Sequence, residues 1–206
     1  MPLYSKNIID ISTTLLVWKI EEDFNSLFSS VKLNPNSIAR LDSFSSNKRK
    51  IEFLATRKLL EEIDISDFDL TYREDGAPLI KDGYISISHT SDFAAIIISD
   101  KKVGIDIEKN RQQIFRISHK FLSTYEKTKF DVDSLKVLSI IWNCKEAMFK
   151  MCNKSGIDFR ENLNVLSIDF EMEQVKSELI FEDKRINVSG KLDIFSNHTL
   201  VYLMID

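Results

Sequence analysis

The chain is poor in the residues that mark linkers and disulfide frameworks. Its 206 residues include five glycines, three prolines and two cysteines. So few glycines and prolines leave no long flexible linker. Cys144 and Cys152 fall on one predicted helix, and eight residues of helix separate them by roughly 12 Å, which is too far for a disulfide. Two free thiols predict a protein of the reducing cytoplasm.

Membrane spans, a signal peptide and an excess of positive charge are also absent. The longest apolar runs are too short to cross a bilayer. Residues 1–20 do not have the layout of a signal peptide, since Lys6, Asp10 and Lys19 interrupt them. The chain carries 28 basic and 32 acidic side chains, a net charge of −4. We therefore expect neither a membrane nor a nucleic acid as its partner.

What the chain does contain is typical of a globular protein. Hydrophobic residues make up 43% and charged residues 29%, and the length suits one large domain or two small ones. Hydrophobic periodicity predicts an alternation of strands and helices. The predicted strands are 11–20, 68–72, 84–89, 93–99, 103–108, 165–168, 191–195 and 199–205. The predicted helices are 21–31, 37–65 (one or two helices), 111–130 and 134–152.

Residues 103–108, with the sequence VGIDIE, alternate between apolar and acidic side chains. Ile105 and Ile107 fall on one face of the predicted strand, and Asp106 and Glu108 fall on the other. Carboxylates two residues apart on one face lie roughly 6.5–7 Å apart at their Cα atoms. The pair is either an acidic face in contact with water or part of a metal site. A third carboxylate elsewhere would favour the metal site.

The predicted helix 134–152 supplies a candidate for that third carboxylate. Glu146 and Lys150 are four residues apart and share a helix face with Trp142. An exposed ion pair is one explanation, but Trp142 argues against full exposure of this face. If Glu146 joins the two strand carboxylates, the three make an oxygen-only site that suits Mg²⁺. The nearby Lys145 and Lys150 fit a metal that is shared with a phosphorylated substrate.

The densest basic cluster of the chain lies at residues 47–50 and 57–58. Charge runs of this kind usually form an exposed helix face. They can also bind phosphate, because arginine makes bidentate contacts and lysine supplies a point charge. His89 follows Ser88 at the end of a predicted strand. It either closes a turn or donates a hydrogen bond to a phosphate oxygen.

Four stretches, in this order, resemble the 4′-phosphopantetheinyl transferases. They are Gly76-x-Pro78, Ser88-His89, GIDIE at 104–108, and W-x-x-K-E-A-x-x-K at 142–150. The resemblance runs from about residue 47 to residue 150. It implies Mg²⁺-dependent transfer of phosphopantetheine from coenzyme A to a serine of an apo carrier protein, with release of adenosine 3′,5′-bisphosphate. The implied partner is an acyl, polyketide or peptidyl carrier protein.

The same resemblance implies roles for individual residues. Asp106, Glu108 and Glu146 match the positions that hold Mg²⁺, and Glu146 would also act as general base for the carrier serine, directly or through a water. Lys150 matches the residue that steadies the pyrophosphate and the leaving phosphate. The implied catalytic residues are Glu146, Asp106 and Lys150. The implied coenzyme A-binding residues, some of them for the adenosine 3′-phosphate, are Lys48, Arg49, Arg57, Ser88, His89, Lys145 and Lys150.

One residue departs from the pattern of the family. Many members have a lysine between the glycine and the proline of the first stretch, and this chain has Ala77. A cationic contact to the coenzyme is then missing, or Lys81 or the basic cluster supplies it. We expect weaker coenzyme binding rather than loss of activity.

The chain length resembles that of the surfactin-synthetase-activating type. This type implies an α+β fold of two similar α/β lobes in a pseudo-twofold arrangement, each an antiparallel sheet packed with helices, with one site between the lobes. The lobes would comprise residues 1–102 and 103–206, and the second would carry most of the metal and catalytic residues. A monomer is expected.

Two other functions compete with an active transferase. One is a coenzyme A- or carrier-binding homologue that has lost catalysis. The other is a Mg²⁺-dependent phosphohydrolase that uses the same carboxylates. The three carboxylates and Lys150 are all present, which argues against a homologue that has lost catalysis. The sequence contains no second cluster of metal ligands, which argues against a phosphohydrolase.

Overall fold

Apolar side chains of the chain gather into two separate cores, and each core belongs to its own unit. The units are Met1–Asp100 and Lys101–Asp206. The structure is a computed structural model that describes residues 3–152, 154, 156–181 and 184–206. Each unit combines antiparallel strands with helices. The prediction of an α+β fold with two sheet-bearing lobes is therefore confirmed.

The first unit contains a four-stranded antiparallel sheet and a short two-stranded ribbon. Its strands are β1 (Leu3–Ile8), β2 (Thr14–Lys19), β3 (Thr71–Tyr72), β4 (Pro78–Leu79), β5 (Tyr84–His89) and β6 (Phe93–Ser99). The sheet order is β1-β2-β6-β5, and β3 pairs with β4. The β6 sequence FAAIIIS is almost continuously apolar, as expected for a strand that is covered on both faces.

Three helices accompany this sheet: α1 (Phe24–Ser30), α2 (Pro35–Ser43) and α3 (Asn47–Glu61). Asn34 caps α2 by accepting a hydrogen bond from the backbone N–H of Ser37, and Pro35 occupies the first turn, where its missing N–H costs nothing. α3 packs against β2, β5 and β6. Leu54 and Leu59 of α3 are fully buried in the core of this unit. α3 therefore has a fixed apolar face, and its basic residues differ in burial: Lys48 and Arg49 are exposed, whereas Arg57 is buried.

The second unit is a five-stranded antiparallel sheet in the order β7-β11-β10-β9-β8. Its strands are β7 (Val103–Lys109), β8 (Leu163–Asp169), β9 (Gln174–Phe181), β10 (Lys184–Phe195) and β11 (His198–Ile205). Ser196 and Asn197 form the two-residue turn between β10 and β11, both with positive φ (47° and 61°), as the turn of a tight hairpin requires.

Three helices belong to the second unit: α4 (Ile114–Phe121), α5 (Thr124–Lys129) and α6 (Leu135–Cys152). α6 lies against β7 and β11. Gly104 of β7 makes this close packing possible, because a Cβ built there would lie 1.9 Å from the backbone oxygen of Ala147. The space beside this glycine is therefore filled by α6. Among the described residues, no helix combines the length and apolar character that crossing a membrane would require.

Candidate active site

The alternation of β7 places its carboxylates on the face that α6 covers. Gly104 touches α6, and Asp106 and Glu108 follow at intervals of two residues on the same face. Asp106 is 3% exposed, whereas Glu108 lies at the surface. Ile105 and Ile107, on the opposite face, are fully buried. Asp106 is therefore not part of a water-covered acidic strand.

α6 brings Glu146 and Lys150 to these carboxylates. Lys150 Nζ lies 2.6 Å from Asp106 Oδ1 and donates to the backbone oxygen of Ile105 at 3.2 Å. Burial raises the pKa of Glu146 to about 7, the charge of Asp106 adds to the rise, Lys150 opposes it, and Glu108 raises it further. The structure thus gathers the four predicted residues into one electrostatically coupled cluster, which we call the acidic cluster.

The donors of the acidic cluster fit Mg²⁺ in kind and charge. They are three hard carboxylate groups whose mutual repulsion a divalent cation would relieve. In the described part of the chain, however, no three acidic, histidine or cysteine side chains stand in an arrangement that could hold a metal ion. The ammonium of Lys150 is the cation that contacts Asp106 instead. Assignment of Asp106, Glu108 and Glu146 as metal ligands stays a prediction.

Lys145, which the resemblance placed near the coenzyme phosphates, is fully buried. Its Nζ lies 2.7 Å from Glu126 Oε2 and 2.7 Å from each of three backbone oxygens, those of Phe121, Phe159 and Leu163. Burial lowers the pKa of Lys145, and the charge of Glu126 opposes that shift. These contacts give Lys145 a structural role, and its contact with the coenzyme stays a prediction.

Four aromatic rings pack together near Lys145: Trp142 and Phe149 of α6, Phe121 of α4, and Phe159. The ring centroids of Trp142 are 5.1 Å from Phe121 and 5.7 Å from Phe159, and Phe149 lies 5.4 Å from Phe159. Phe149 remains 41% exposed. Trp142 is only partly exposed, so the helix face that it shares with Glu146 is shielded from water in part, as the sequence suggested.

The first unit contains a cavity of about 140 Å³ with a cationic wall, which we call the cationic cavity. Its charged and hydrogen-bonding lining comes from α2, α3, β3 and β5. The lining residues are Arg40, Phe44, Arg49, Phe53, Thr56, Arg57, Tyr72, Gly76, Pro78, Ile87 and His89. Two of the predicted stretches, Gly76-x-Pro78 and Ser88-His89, thus meet the basic cluster of α3 at one cavity.

Arg57 has partners of its own within this wall. Its guanidinium is 3% exposed and donates through Nε to Asp67 Oδ1 at 3.0 Å and through Nη2 to the Tyr72 hydroxyl at 2.7 Å. Its Cζ also stacks 3.5 Å from the centroid of the Phe53 ring. Arg57 thus stabilises the cavity wall, and a contact between Arg57 and coenzyme stays a prediction.

Lys48 and Arg49 line a wider, open depression of about 430 Å³ at the N-terminal end of α3, together with Ser45 and Ser46. Lys48 is exposed, and Ser88 of β5 is buried. Ala77 precedes the cavity residue Pro78, and Lys81 lies at the surface. Arg49 belongs to both the depression and the cationic cavity. The coenzyme contacts predicted for Lys48, Arg49, Ser88 and His89 stay predictions.

Sequence reasoning missed three residues that line the cationic cavity or pair with predicted site residues: Arg40, Glu52 and Glu126. Arg40 stacks 4.1 Å from the ring centroid of Tyr72 in the cavity wall. Glu52 contacts His89, and Glu126 pairs with Lys145. One signal was available, because Ser123 and Glu126 form a capping box, S-x-x-E, at the start of α5. Nothing in the local sequence marks Glu52 as a partner of a residue on β5.

Two sequence models of one family match consecutive parts of this chain. The 4′-phosphopantetheinyl transferase N-terminal domain matches residues 40–99, which include the cationic cavity. The 4′-phosphopantetheinyl transferase superfamily matches residues 102–194, which include the acidic cluster. The chain therefore belongs to the 4′-phosphopantetheinyl transferase superfamily and is a transferase of this kind. A search of curated proteins found no match.

Proposed function

We propose that this protein transfers 4′-phosphopantetheine from coenzyme A to a serine of an apo acyl, polyketide or peptidyl carrier protein, with Mg²⁺ as cofactor. The observation that carries the proposal is the acidic cluster. Asp106 and Glu108 on β7 are coupled to Glu146 and Lys150 on α6, within the part that matches the superfamily. Three carboxylates and a lysine are what a pyrophosphate-cleaving site needs.

In this mechanism Asp106, Glu108 and Glu146 would hold Mg²⁺, which would supply positive charge to neutralise the pyrophosphate. Glu146 also takes the proton of the carrier serine hydroxyl, directly or through a water. In the metal-free protein burial and Asp106 raise the pKa of Glu146 to about 7. Bound Mg²⁺ would lower this pKa, so that the ionised carboxylate could accept the proton near neutral pH. Lys150 supplies a positive charge for the oxygen of the leaving adenosine 3′,5′-bisphosphate.

The adenosine end of coenzyme A is assigned to the cationic cavity and the depression beside it. Arg49 and His89, with Lys48 and Ser88 nearby, bind the 3′-phosphate. Arg57 supports this wall through Asp67 and Tyr72. Because Ala77 supplies no cation, Lys81 or the basic residues of α3 would take over that contact.

The subtype and cellular setting are part of the proposal. Two matched parts in a single chain favour the surfactin-synthetase-activating type, with the lobes divided between residues 102 and 103 and a monomeric state. Cys144 and Cys152 are both free thiols, which favours the cytoplasm. A single chain that supplies a nucleotide site and a metal site needs no second copy for either.

The test is direct transfer to carrier proteins. The protein is incubated with coenzyme A, Mg²⁺ and a panel of apo carrier proteins, and the carriers are weighed by mass spectrometry. We expect a gain of one phosphopantetheine on the carrier serine, with release of adenosine 3′,5′-bisphosphate. Glu146→Gln and Asp106→Ala should each abolish the gain and keep the circular dichroism spectrum of the wild type. Wild-type rates in either variant would remove the metal assignment.

A catalytically inactive coenzyme A- or carrier-binding homologue is the alternative. It is favoured by the contact of Lys150 with Asp106 and by the absence of a preformed metal arrangement in the described residues. Binding of coenzyme A by calorimetry without mass gain on any carrier would support this alternative. Mass gain on any one carrier excludes it.

A further inference from the structure

Glu52 is a buried carboxylate beside the cationic cavity, and the proposed mechanism gives it no role. It lies on α3, and its side chain is 8% exposed. Its Oε2 lies 3.3 Å from Nδ1 of His89 and 3.5 Å from Nη1 of Arg49. A buried carboxylate is costly unless charged or hydrogen-bonding partners compensate it. Both of these partners line the cationic cavity.

Asp67 is a second buried carboxylate of this unit, and its hydrogen-bond partners are those of a structural residue, in contrast to those of Glu52. It accepts hydrogen bonds from Arg57 Nε, from the Ser37 hydroxyl and from the backbone N–H of Asn34. Asp67 thereby joins α3 to the start of α2. The contacts of Glu52 go instead to two side chains of a proposed anion site. A negative charge next to an anion site weakens anion binding unless it acts through another group.

The ring nitrogens of His89 explain how Glu52 can favour an anion. Nδ1 faces the Glu52 carboxylate, and because an ionised carboxylate can only accept, a hydrogen bond between them needs the proton on Nδ1. A neutral imidazole with its proton on Nδ1 has only a lone pair on Nε2, which cannot donate to a phosphate. The imidazolium donates from both nitrogens, and a carboxylate contact stabilises it. Arg40, Arg49 and Arg57 line the same cavity and disfavour the imidazolium, and the Glu52 carboxylate acts against them.

We propose that Glu52 is a positioning residue that holds His89 as an imidazolium and holds Arg49 at the cavity wall, so that both bind the phosphate monoester of the coenzyme adenosine. The inference rests on the proposed function and narrows it, because it names the 3′-phosphate as the group that depends on this pair. Glu52 itself does not touch the substrate.

The first experiment compares two coenzymes. In Glu52→Gln the KM for coenzyme A should rise about tenfold while kcat changes less than about twofold, since a charge-assisted contact to the ground-state ligand is weakened. With dephospho-coenzyme A, which lacks the 3′-phosphate, KM should be the same in variant and wild type. Glu62→Gln, an exposed change at the C-terminal cap of the same helix, is the control and should match the wild type. An equal rise of KM for both coenzymes overturns the inference.

The second experiment asks whether Glu52 acts through His89. In a His89→Gln background, Glu52→Gln should cause little further rise of KM, because the group that it positions is gone. Additive effects of the two changes would contradict the positioning role. Glu52→Asp keeps the charge but shortens the reach, so its KM should lie between those of the wild type and Glu52→Gln. This variant also serves if Glu52→Gln does not fold.

A binding version of the test does not depend on catalysis. The chain has three histidines, and the imidazole signal of His89 is identified by its loss in His89→Gln. Its pKa, followed by NMR, should fall by about one unit in Glu52→Gln. Adenosine 3′,5′-bisphosphate should bind more weakly to the variant, and adenosine 5′-monophosphate equally to both. If the wild type transfers nothing but these shifts occur, the proposed function fails and the role of Glu52 stands. An unchanged His89 pKa with unchanged nucleotide binding overturns the role of Glu52.

Discussion

The surroundings of Glu146 change the pKa of its carboxyl group and thereby the stability of the protein. Its pKa rises from the ordinary value of 4.5 to about 7, first through burial and then through Asp106. The folded protein therefore keeps a proton that the unfolded chain releases between these two values. The contribution of Glu146 to the free energy of unfolding therefore falls as pH rises from about 4.5 to about 7, and this loss is constant above that range.

Glu146→Gln removes this loss. In a metal chelator at pH 8, the free energy of unfolding of the variant should exceed that of the wild type by roughly 1–2 kcal/mol, a figure reduced for the partial exposure of the side chain. Below about pH 4.5 the two proteins should be equally stable. Urea denaturation at several pH values measures both. A variant that is less stable than the wild type at pH 8 would contradict the buried, repelled carboxylate.

The ion pair between Lys150 and Asp106 leads to a prediction about metal affinity. Its Nζ lies 2.6 Å from Asp106 Oδ1, so the lysine competes with a metal ion for that carboxylate. Lys150→Met keeps the length of the side chain and removes the charge. Without coenzyme, the variant should bind Mn²⁺ about tenfold more tightly than the wild type, while transfer is lost. Calorimetry with Mn²⁺ tests this, and equal or weaker metal binding by Lys150→Met would contradict the competition.

The sequence predicts which residues approach each other better than it predicts which of their side chains are buried. Strand and helix periods predict that Asp106 and Glu108 share one face and that Glu146 and Lys150 share another, and the structure brings the two pairs together. Their roles in metal binding and catalysis stay predictions. Arg57 and Lys145 were assigned to phosphate, and the structure shows both in buried ion pairs. Their partners Asp67 and Glu126 come from other elements, so no local period reveals them.

At the scale of elements, the close approach of α6 to β7 depends on Gly104. A Cβ at this position would lie 1.9 Å from the oxygen and 2.8 Å from the carbon of the Ala147 carbonyl, which is helix backbone and cannot rotate away. Gly104→Ala should therefore displace α6 or destabilise the unit by roughly 1–3 kcal/mol, as overpacking of a core does. Thermal melting and the transfer assay measure the two effects. Gly156→Ala is the comparison, because nothing lies within 4 Å of its Cβ, it does not line the cationic cavity, and only its positive φ is strained.

Lys145 ties α6 to α5 and to β8 through Glu126. Glu126 also accepts hydrogen bonds from the backbone N–H groups of Ser123 and Val165. Lys145→Met would leave the Glu126 carboxylate buried without its cation, which should lower the free energy of unfolding by about 3–5 kcal/mol. In the double variant with Glu126→Gln, the loss should be smaller than the sum of the single losses. If Lys145→Met is as stable as the wild type and only raises the KM for coenzyme A, Lys145 is a ligand residue instead.

Strong periodicity decided which elements could be predicted. β5, β6, β7 and α6 were predicted within a residue or two because their apolar residues recur at the strand or helix period or form a continuous run. β1 was missed because it is an edge strand with mostly exposed, polar side chains. β9 was missed because Ser177 stands on its buried face between Val175 and Leu179. The predicted strand 68–72 was wrong in its first half, where Asp67–Asp69 form a turn of 3₁₀ helix.

At the scale of the whole molecule, the two units hold different chemistry. The first carries the cationic cavity and the second carries the acidic cluster. Each is built from side chains of its own unit, so each should bind its own part of the substrate without the other. Each site forms because its unit folds around its own core and brings distant residues together. The sequence motifs give the order of these residues along the chain but not which of them meet.

This separation predicts independent binding defects. In a metal chelator, Arg49→Ala should weaken binding of adenosine 3′,5′-bisphosphate about tenfold, since one charge-assisted phosphate contact is lost, and Asp106→Asn should leave it unchanged. Without nucleotide, Asp106→Asn should abolish Mn²⁺ binding and Arg49→Ala should not alter it. Arg73→Ala, an exposed arginine paired with Asp75, is the control for both measurements. A loss of nucleotide affinity in Asp106→Asn as large as that in Arg49→Ala would mean that the two units do not bind independently, because distant and uncoupled sites should behave additively.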